Sequence, residues 1–240
     1  MTAFTLKSIA LSSMIIDHSA LVFPLHFPVE FRAVGRLAWP IFAYLLAESF
    51  RHTKSSDKLM LRLGLLAIIS QIPYSLAITQ SISFISNTNI FYTLFLGGAA
   101  IMIYNSQKEK KQNLLTYIIA VFPTALSAEL LSSDYGGIGV LFIFCMYAIT
   151  EKKRRLIALG FFALLQFLPM FSLAISASTA NASYRFEIGT EHILAISFAL
   201  STIILIAKYN GKRGINAKWL FYTAYPLHLS ALAVASIVIN

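Results

Sequence analysis

Residues 59–79 read LMLRLGLLAIISQIPYSLAIT, twenty-one positions that hold a single charge, at Arg62. The hydrocarbon core of a bilayer is about 30 Å thick, and a helix needs roughly 20 mostly apolar residues to cross it. This stretch supplies them. Backbone polar groups must be satisfied inside the segment when no water is at hand, so a run of this length reads as a helix rather than a barrel strand.

Working outward, comparable runs lie at 4–23, 35–50, 88–105, 114–131, 136–150, 155–175, 190–208 and 218–238, separated by short polar breaks. The runs at 35–50 and 136–150 are short, which calls for extension, tilt or a start in the interface. At 58% hydrophobic and 12% charged residues the 240-residue chain is too apolar for one water-soluble domain. The sequence therefore predicts an all-α, polytopic integral membrane helical bundle of about nine transmembrane helices, forming one domain over 1–240. The first run has no small-residue cleavage site after its apolar core, so it is expected to stay in the mature protein.

Orientation follows from Lys and Arg, which are retained on the cytoplasmic side of short loops. In a nine-helix arrangement all but Arg32, Arg36 and Arg185 of the 19 basic residues fall on one side: Lys7, the groups at 51–62, 108–111 and 152–155, and the group at 208–218. That side is expected to be cytoplasmic and to hold the N-terminus, with the C-terminus outside. The net charge of +9 then reads as a topogenic and lipid-headgroup signal, spread over loops rather than gathered into a nucleic-acid-binding stripe. The one cysteine, Cys145, sits in LFIFCMY and reads as a packing residue. There is no metal-binding spacing, no phosphate-binding glycine motif and no obvious repeat, and the longest outer loop, roughly 176–189, is rich in Ser, Ala and Asn.

Polar residues inside apolar runs carry the most information, since an ionisable side chain at bilayer depth costs about 2.5 kcal/mol or more to insert. Asp17 and His18 in MIIDHSA are neighbours on a helix and point about 100° apart, so Asp17 is poorly placed to orient His18. Arg36, at a matching depth at the start of the second run, is the expected partner of Asp17, in a pair that is either structural or leaves His18 to chemistry. In AYPLHLS, His228 lies two residues after Pro226, which removes a backbone hydrogen bond, and Tyr222 and Tyr225 add hydroxyls. A lone intramembrane histidine is more often a packing residue than a catalyst, yet two in one bundle are able to converge. Arg32, Gln71, Tyr74, Asn89, Asp134, Tyr135, Glu187, Glu191 and His192 fall at outer helix ends, where solvated-loop or turn roles compete with a shared polar site. At the cytoplasmic end Glu48 and His52 share a helix face, with Arg51 and Lys54 beside them, suited either to an anionic ligand or to a headgroup contact.

Several stretches together resemble one family: LKSIALSSMIIDHSALVF (6–23), FRAVGRLAWPIFAYLLAESFRHT (31–53), LRLGLLAIISQIPYSLA (61–77), NTNIFYTLFLGG (87–98), SSDYGGIGVLFIFCMY (132–147) and KWLFYTAYPLHLSAL (218–232). This order resembles the TraX family, named for the F-pilin acetylase of conjugative plasmids. The resemblance implies a multi-pass acyltransferase of the bacterial inner membrane that takes acetyl from acetyl-CoA. The acceptor is an amine or hydroxyl: the pilin N-terminus in the founding case, otherwise an envelope polysaccharide, lipid or protein. The family's polar signature falls on Asp17, His18, Arg32, Gly35, Arg36, Pro40, Glu48, His52, Asp134, Tyr135, Gly136, Tyr225, Pro226 and His228. It implies His18 as general base or acyl carrier and His228 as assisting acid. Asp17 and Arg36 would frame the site, and Arg32, Asp134, Tyr135, Tyr225 and Asn89 would meet the acceptor. Glu48, Arg51, His52, Lys54 and Arg62 would lie toward the donor's phosphates. A transporter, or a structural component of a conjugation or pilus assembly, is the competing reading of the same residues.

Overall fold

The computed structural model describes residues 1–80, 82–85, 87–107, 114–165 and 182–239, with 182–192 and 239 described by backbone alone. Among these the chain is all helix. Helices run α1 Ala3–Val22, α2 Glu30–Val34, a 3-10 turn Gly35–Leu37, α3 Ala38–His52, α4 Ser56–Tyr74 with a π turn Ser75–Thr79, α5 Ile90–Ser106, α6 Leu114–Leu130, α7 Gly136–Ala148, α8 Lys152–Leu165, α9 Ala182–Ala207 and α10 Lys218–Ile239. Their starts are written locally. The Thr2 hydroxyl accepts from the Thr5 N–H before α1, Ser55 from Lys58 before α4, and Asn89 from Phe91 before α5. In α4, Pro73 removes one ladder bond, and the helix widens into its π turn just beyond.

The expected run at 35–50 is extended backwards by α2 and the 3-10 turn to Glu30. The outer loop expected at 176–189 is corrected at its second half, because α9 already begins at Ala182. Hydropathy marks where a helix turns apolar, whereas residues such as the Ala, Arg and Glu of ASYRFEIGT keep a helical backbone going beyond that point. The residues 108–113 and 166–181, and the side chains of Arg185, Glu187, Glu191 and His192, lie outside the described residues.

Two helices, Ser56–Thr79 and Lys218–Val238, are long and apolar enough to cross a membrane. Among the described residues Ile90–Ser106, Leu114–Leu130, Gly136–Ala148 and Ile193–Ala207 are shorter apolar stretches, and α7, at 13 residues, is only about 20 Å long at 1.5 Å per residue.

The chain divides into two compact units. The first comprises Met1–Phe42 and Leu156–Phe221. Here α1 packs on α2 and the 3-10 turn, and α9 packs on the same two elements. Ala33, Ala163, Ala195 and Ala199 form a close-packed seam of small residues. The terminal amine of Met1 donates to the Lys208 carbonyl at 2.6 Å, and the N–H groups of Ala3 and Phe4 donate to the carbonyls of Lys212 and Arg213.

The second unit comprises Ala43–Arg155 and Tyr222–Asn240. Within it α5 packs against α4, α6 and α7, and α6 against α7. Gly97 and Gly98 permit this approach, since a Cβ on either would overlap Ile143 of α7 or Met60 and Phe50. The amphipathicity is inverted relative to a soluble bundle. On α6 the buried positions are Thr116, Ala120, Thr124 and Ala128, while Ile118, Ile119, Phe122 and Leu126 stand exposed, Phe122 by 64%. On α4, Leu61, Leu65, Ile68 and Ile72 face outward while Ser70 and Gln71 are fully buried. Small and polar inside, large and apolar outside is the pattern of helices surrounded by lipid.

A buried amide node ties α4 to α5. Gln71 donates to the carbonyls of Ser83 and Asn87 and to the Ser75 hydroxyl. Its oxygen accepts from both the backbone N–H and the side-chain amide of Asn89. Gln71→Leu strands several of these groups and is expected to cost about 1–3 kcal/mol. Thermal unfolding in neutral detergent checks this, and an unchanged midpoint would remove the node from the list of stabilising contacts.

Candidate functional site

Besides the amide node, three clusters that hold ionisable groups stand out among the described residues, one in the first unit and two in the second.

In the first unit, Asp17 lies on α1, one turn before its end, and meets α2 and the 3-10 turn. Arg32 Nε donates to Asp17 Oδ1 at 3.1 Å, and Arg36 Nη2 to Oδ2 at 3.5 Å. The carboxylate thus bridges two guanidinium groups, so Arg32, expected to meet an acceptor, is a partner of Asp17. Gly35 makes this possible: a Cβ there would fall inside the Asp17 side chain. The Asp17 side chain is 15% exposed and that of Arg32 is 37% exposed. His18 is half-buried next to the bridged carboxylate.

In the second unit, one end holds an acid with three basic neighbours. Glu48 Oε1 accepts from Arg51 Nη1 at 3.2 Å and from Arg155 Nη1 at 2.8 Å, and Oε2 faces His52 Nε2 at 3.7 Å. Arg51 also donates through Nη2 to the carbonyls of Met146, Tyr147 and Ile149, at the end of α7. Its two Nη groups are therefore committed to Glu48 and to capping α7. Lys54 is exposed and Arg62 half-buried on the next helix. Arg155 stacks on Tyr44, guanidinium carbon to ring centroid 4.2 Å, and is 5% exposed. Its Nε and Nη2 are buried and have no hydrogen-bond partner among the described residues. Arg155 was not singled out from sequence because it closes the EKKRR run, which reads as topogenic. The available signal was helical phase: Arg155 shares a face with Leu159 and Phe162, both buried.

At the opposite end of this unit the loop 131–135 docks on the start of α5. Thr93 Oγ1 pairs with Ser133 Oγ at 3.0 Å, and the Asp134 N–H donates to the Thr88 carbonyl at 3.1 Å. The Asp134 carboxylate acts electrostatically on the hydroxyls of Tyr74 and Tyr225, and Tyr135 also acts on Tyr225. The Tyr225 hydroxyl makes a hydrogen bond with the Ile90 backbone, and its ring meets Phe91 edge-on. Asn89 is fully buried, and its side-chain amide donates to the Ala67 carbonyl and to Gln71. It is an N-cap and a helix tie here. His228, one turn after Ala224, contacts the Tyr225 ring at 5.4 Å, and its Nδ1 lies 2.8 Å from the Ala224 carbonyl. A carbonyl only accepts, so Nδ1 carries the hydrogen and, in the neutral ring, Nε2 carries the lone pair. Glu129, not marked by the sequence reading, accepts from the Gly137 N–H at 2.7 Å and places an acid at the start of α7. Among the described residues no group of three or more His, Cys, Asp or Glu is arranged to hold a metal ion.

The family model described as TraX protein matches residues 3–236. The chain belongs to the TraX family. It is also similar to the probable fimbrial assembly protein FimC, serogroup H1, of Dichelobacter nodosus. The two are 29% identical over 254 residues, covering 100% of this chain and 97% of that protein. No solved structure matches. Of the signature positions, Asp17, Arg32, Gly35 and Arg36 form the first cluster. Glu48 and His52 belong to the second, and Asp134, Tyr135, Tyr225 and His228 to the third.

Asp17→Asn leaves two arginines facing a neutral amide. The expected loss is about 1–3 kcal/mol, below the figure for a fully buried pair because Arg32 is partly exposed. A double-mutant cycle with Arg36→Gln should give a coupling energy clearly different from zero. Additive losses would mean the pair contributes nothing beyond packing.

Proposed function

We propose that this TraX-family chain is an acetyltransferase of the bacterial inner membrane, acting on an amine or hydroxyl of an envelope substrate such as a pilin or a polysaccharide. About nine of its helices lie across the bilayer with the N-terminus in the cytoplasm. The observation that carries the reading is the family match over residues 3–236, with signature acids, arginines and histidines set into an otherwise apolar bundle. The fimbrial-assembly name of the Dichelobacter relative points to the same cellular setting. It also supports the alternative of a pilus-assembly component without enzymatic activity.

In the catalytic reading, the acceptor nitrogen or oxygen attacks the thioester carbonyl of acetyl-CoA. A bond from acceptor to acetyl carbon forms, the carbon–sulfur bond breaks, and the acceptor's proton goes to a base while the CoA thiolate leaves. His18 is assigned that base. Asp17 hands both oxygens to Arg32 and Arg36, so its part is to fix α1 against α2 rather than to orient the imidazole. Tyr225 and Asp134 are assigned to the acceptor, with His228 as a hydrogen-bonding or acid group beside them. The residues toward the donor's phosphates are Arg155, Lys54 and Arg62, with Glu48 and His52 shaping the cluster.

The orientation is supported by the second unit's own asymmetry. The loops at 53–55 and 149–151 are flanked by Arg51, Lys54, Lys58 and the 152–155 run, whereas 75–89 and 131–135 contain no Lys or Arg. With Cys145→Ala as background, a cysteine at Ser132 should react with an impermeant maleimide in spheroplasts, and one at Asp57 only after permeabilisation. The reverse pattern would invert the assigned topology.

Activity is tested by transfer of radiolabelled acetyl from acetyl-CoA to envelope fractions by membranes carrying equal amounts of inserted wild-type or His18→Ala protein. Loss of labelling by about 100-fold or more is expected if His18 is the base. Equal labelling removes His18 from that role, and no labelling by wild type leaves the assembly-component reading.

A further inference from the structure

The Glu48 cluster holds one acid against two arginines, and the surplus positive charge is localised. Arg51 places its Nη groups on Glu48 and on the end of α7, and Arg155 spends only Nη1 on Glu48. What remains is the Nε and Nη2 edge of Arg155, two parallel N–H donors forming the fork that matches two oxygens of a carboxylate or phosphate. The side chain is 5% exposed. A guanidinium this deeply buried is costly unless its donors are met and its charge balanced.

We propose that the Nε–Nη2 edge of Arg155 is an oxyanion-binding site that takes a phosphate group. Tyr44 supports the guanidinium from one face and Glu48 fixes its rotation through Nη1, so the fork is held in one direction before any ligand arrives. Both nitrogens are shielded from bulk water, which strengthens the attraction to an anion once it is in place. The exposed Lys152 and Lys153 on the preceding turn raise the local concentration of anions, while Arg154 is paired with Glu151. Two carriers offer this chemistry, the phosphates of CoA and the phosphate of an anionic lipid headgroup. Only the first rests on the acetyltransferase reading; the site itself does not.

The test uses full-length protein in a neutral detergent, titrated separately with inorganic phosphate, CoA and phosphatidylglycerol, and read by calorimetry and thermal shift. Arg155→Lys keeps a charge for Glu48 but removes the fork, and is expected to weaken binding about tenfold or more, the equivalent of one lost charge-assisted hydrogen bond. Lys153→Gln, an exposed control, is expected to weaken it by no more than about threefold. Glu48→Gln removes the competing anion and is expected to tighten binding. A merely structural role for the cluster would weaken binding in both Arg155→Lys and Glu48→Gln. Unchanged affinity in Arg155→Lys, or a wild type that responds to none of the three probes, overturns the proposal. Arg155-dependent binding of phosphatidylglycerol but not of CoA keeps the site and removes acetyl-CoA from it.

Discussion

The short helix α7 sets the terms for the second unit. Its 13 residues cover about 20 Å, Gly137, Val140, Phe142, Ile143, Phe144 and Met146 are buried, and its terminal N–H and C=O groups have no further helical turn to pair with. Each end is met by a side chain of the right sign, Glu129 at the N-terminal N–H groups and Arg51 at the C-terminal carbonyls. Arg51 in turn needs an anion, which is Glu48, and Glu48 is shared with Arg155 of the next helix. One unsatisfied helix end thereby links α3, α7 and α8 through charge, in a chain whose other contacts are mostly dispersion.

The two units solve the same problem with different remainders. Each sets one carboxylate between two arginines: Asp17 between Arg32 and Arg36, and Glu48 between Arg51 and Arg155. Among the described residues each thus sets two guanidinium groups against one carboxylate. In the first cluster Arg32 is 37% exposed. In the second Arg155 is 5% exposed, with two donors unmatched. The contrast in exposure, rather than the count of charges, separates a helix clamp from a ligand site.

Much of this was legible in the sequence, for stated reasons. Runs of apolar residues located most of the helices to within a few positions, except that α9 begins at Ala182 rather than 190 and the end of the 155–175 run lies outside the described residues. Matching depth brought Asp17 and Arg36 together, since few other partners exist for an acid in an apolar run. The resemblance implies that Arg32, at an outer helix end, meets the acceptor; it instead donates to Asp17, across a close approach of α1 that only a glycine at position 35 permits. Asn89 looked like an available polar group, but its place at a helix start makes it a cap. Arg155 was hidden inside a basic run whose topogenic meaning is sufficient to account for it, and only the phase of the following helix distinguishes it from Lys153 and Arg154.

The geometry also bears on how the two histidines differ. A general base needs its lone pair aimed by a partner on the other ring nitrogen. His228 has this in plain form: the Ala224 carbonyl holds the Nδ1 hydrogen and so assigns the lone pair to Nε2, beside Tyr225. His18 does not draw it from Asp17, whose two oxygens face Arg32 and Arg36. If the proton passes to His18, replacing Asp17 should act through helix placement, lowering stability and activity together. If it passes to His228, the Asp17 cluster and the base belong to different units, and a partial loss of stability at Asp17 would leave transfer per folded protein unchanged. Transfer per folded Asp17→Asn protein therefore discriminates the two histidines, since it falls with helix placement if the base is His18 and holds if the base is His228.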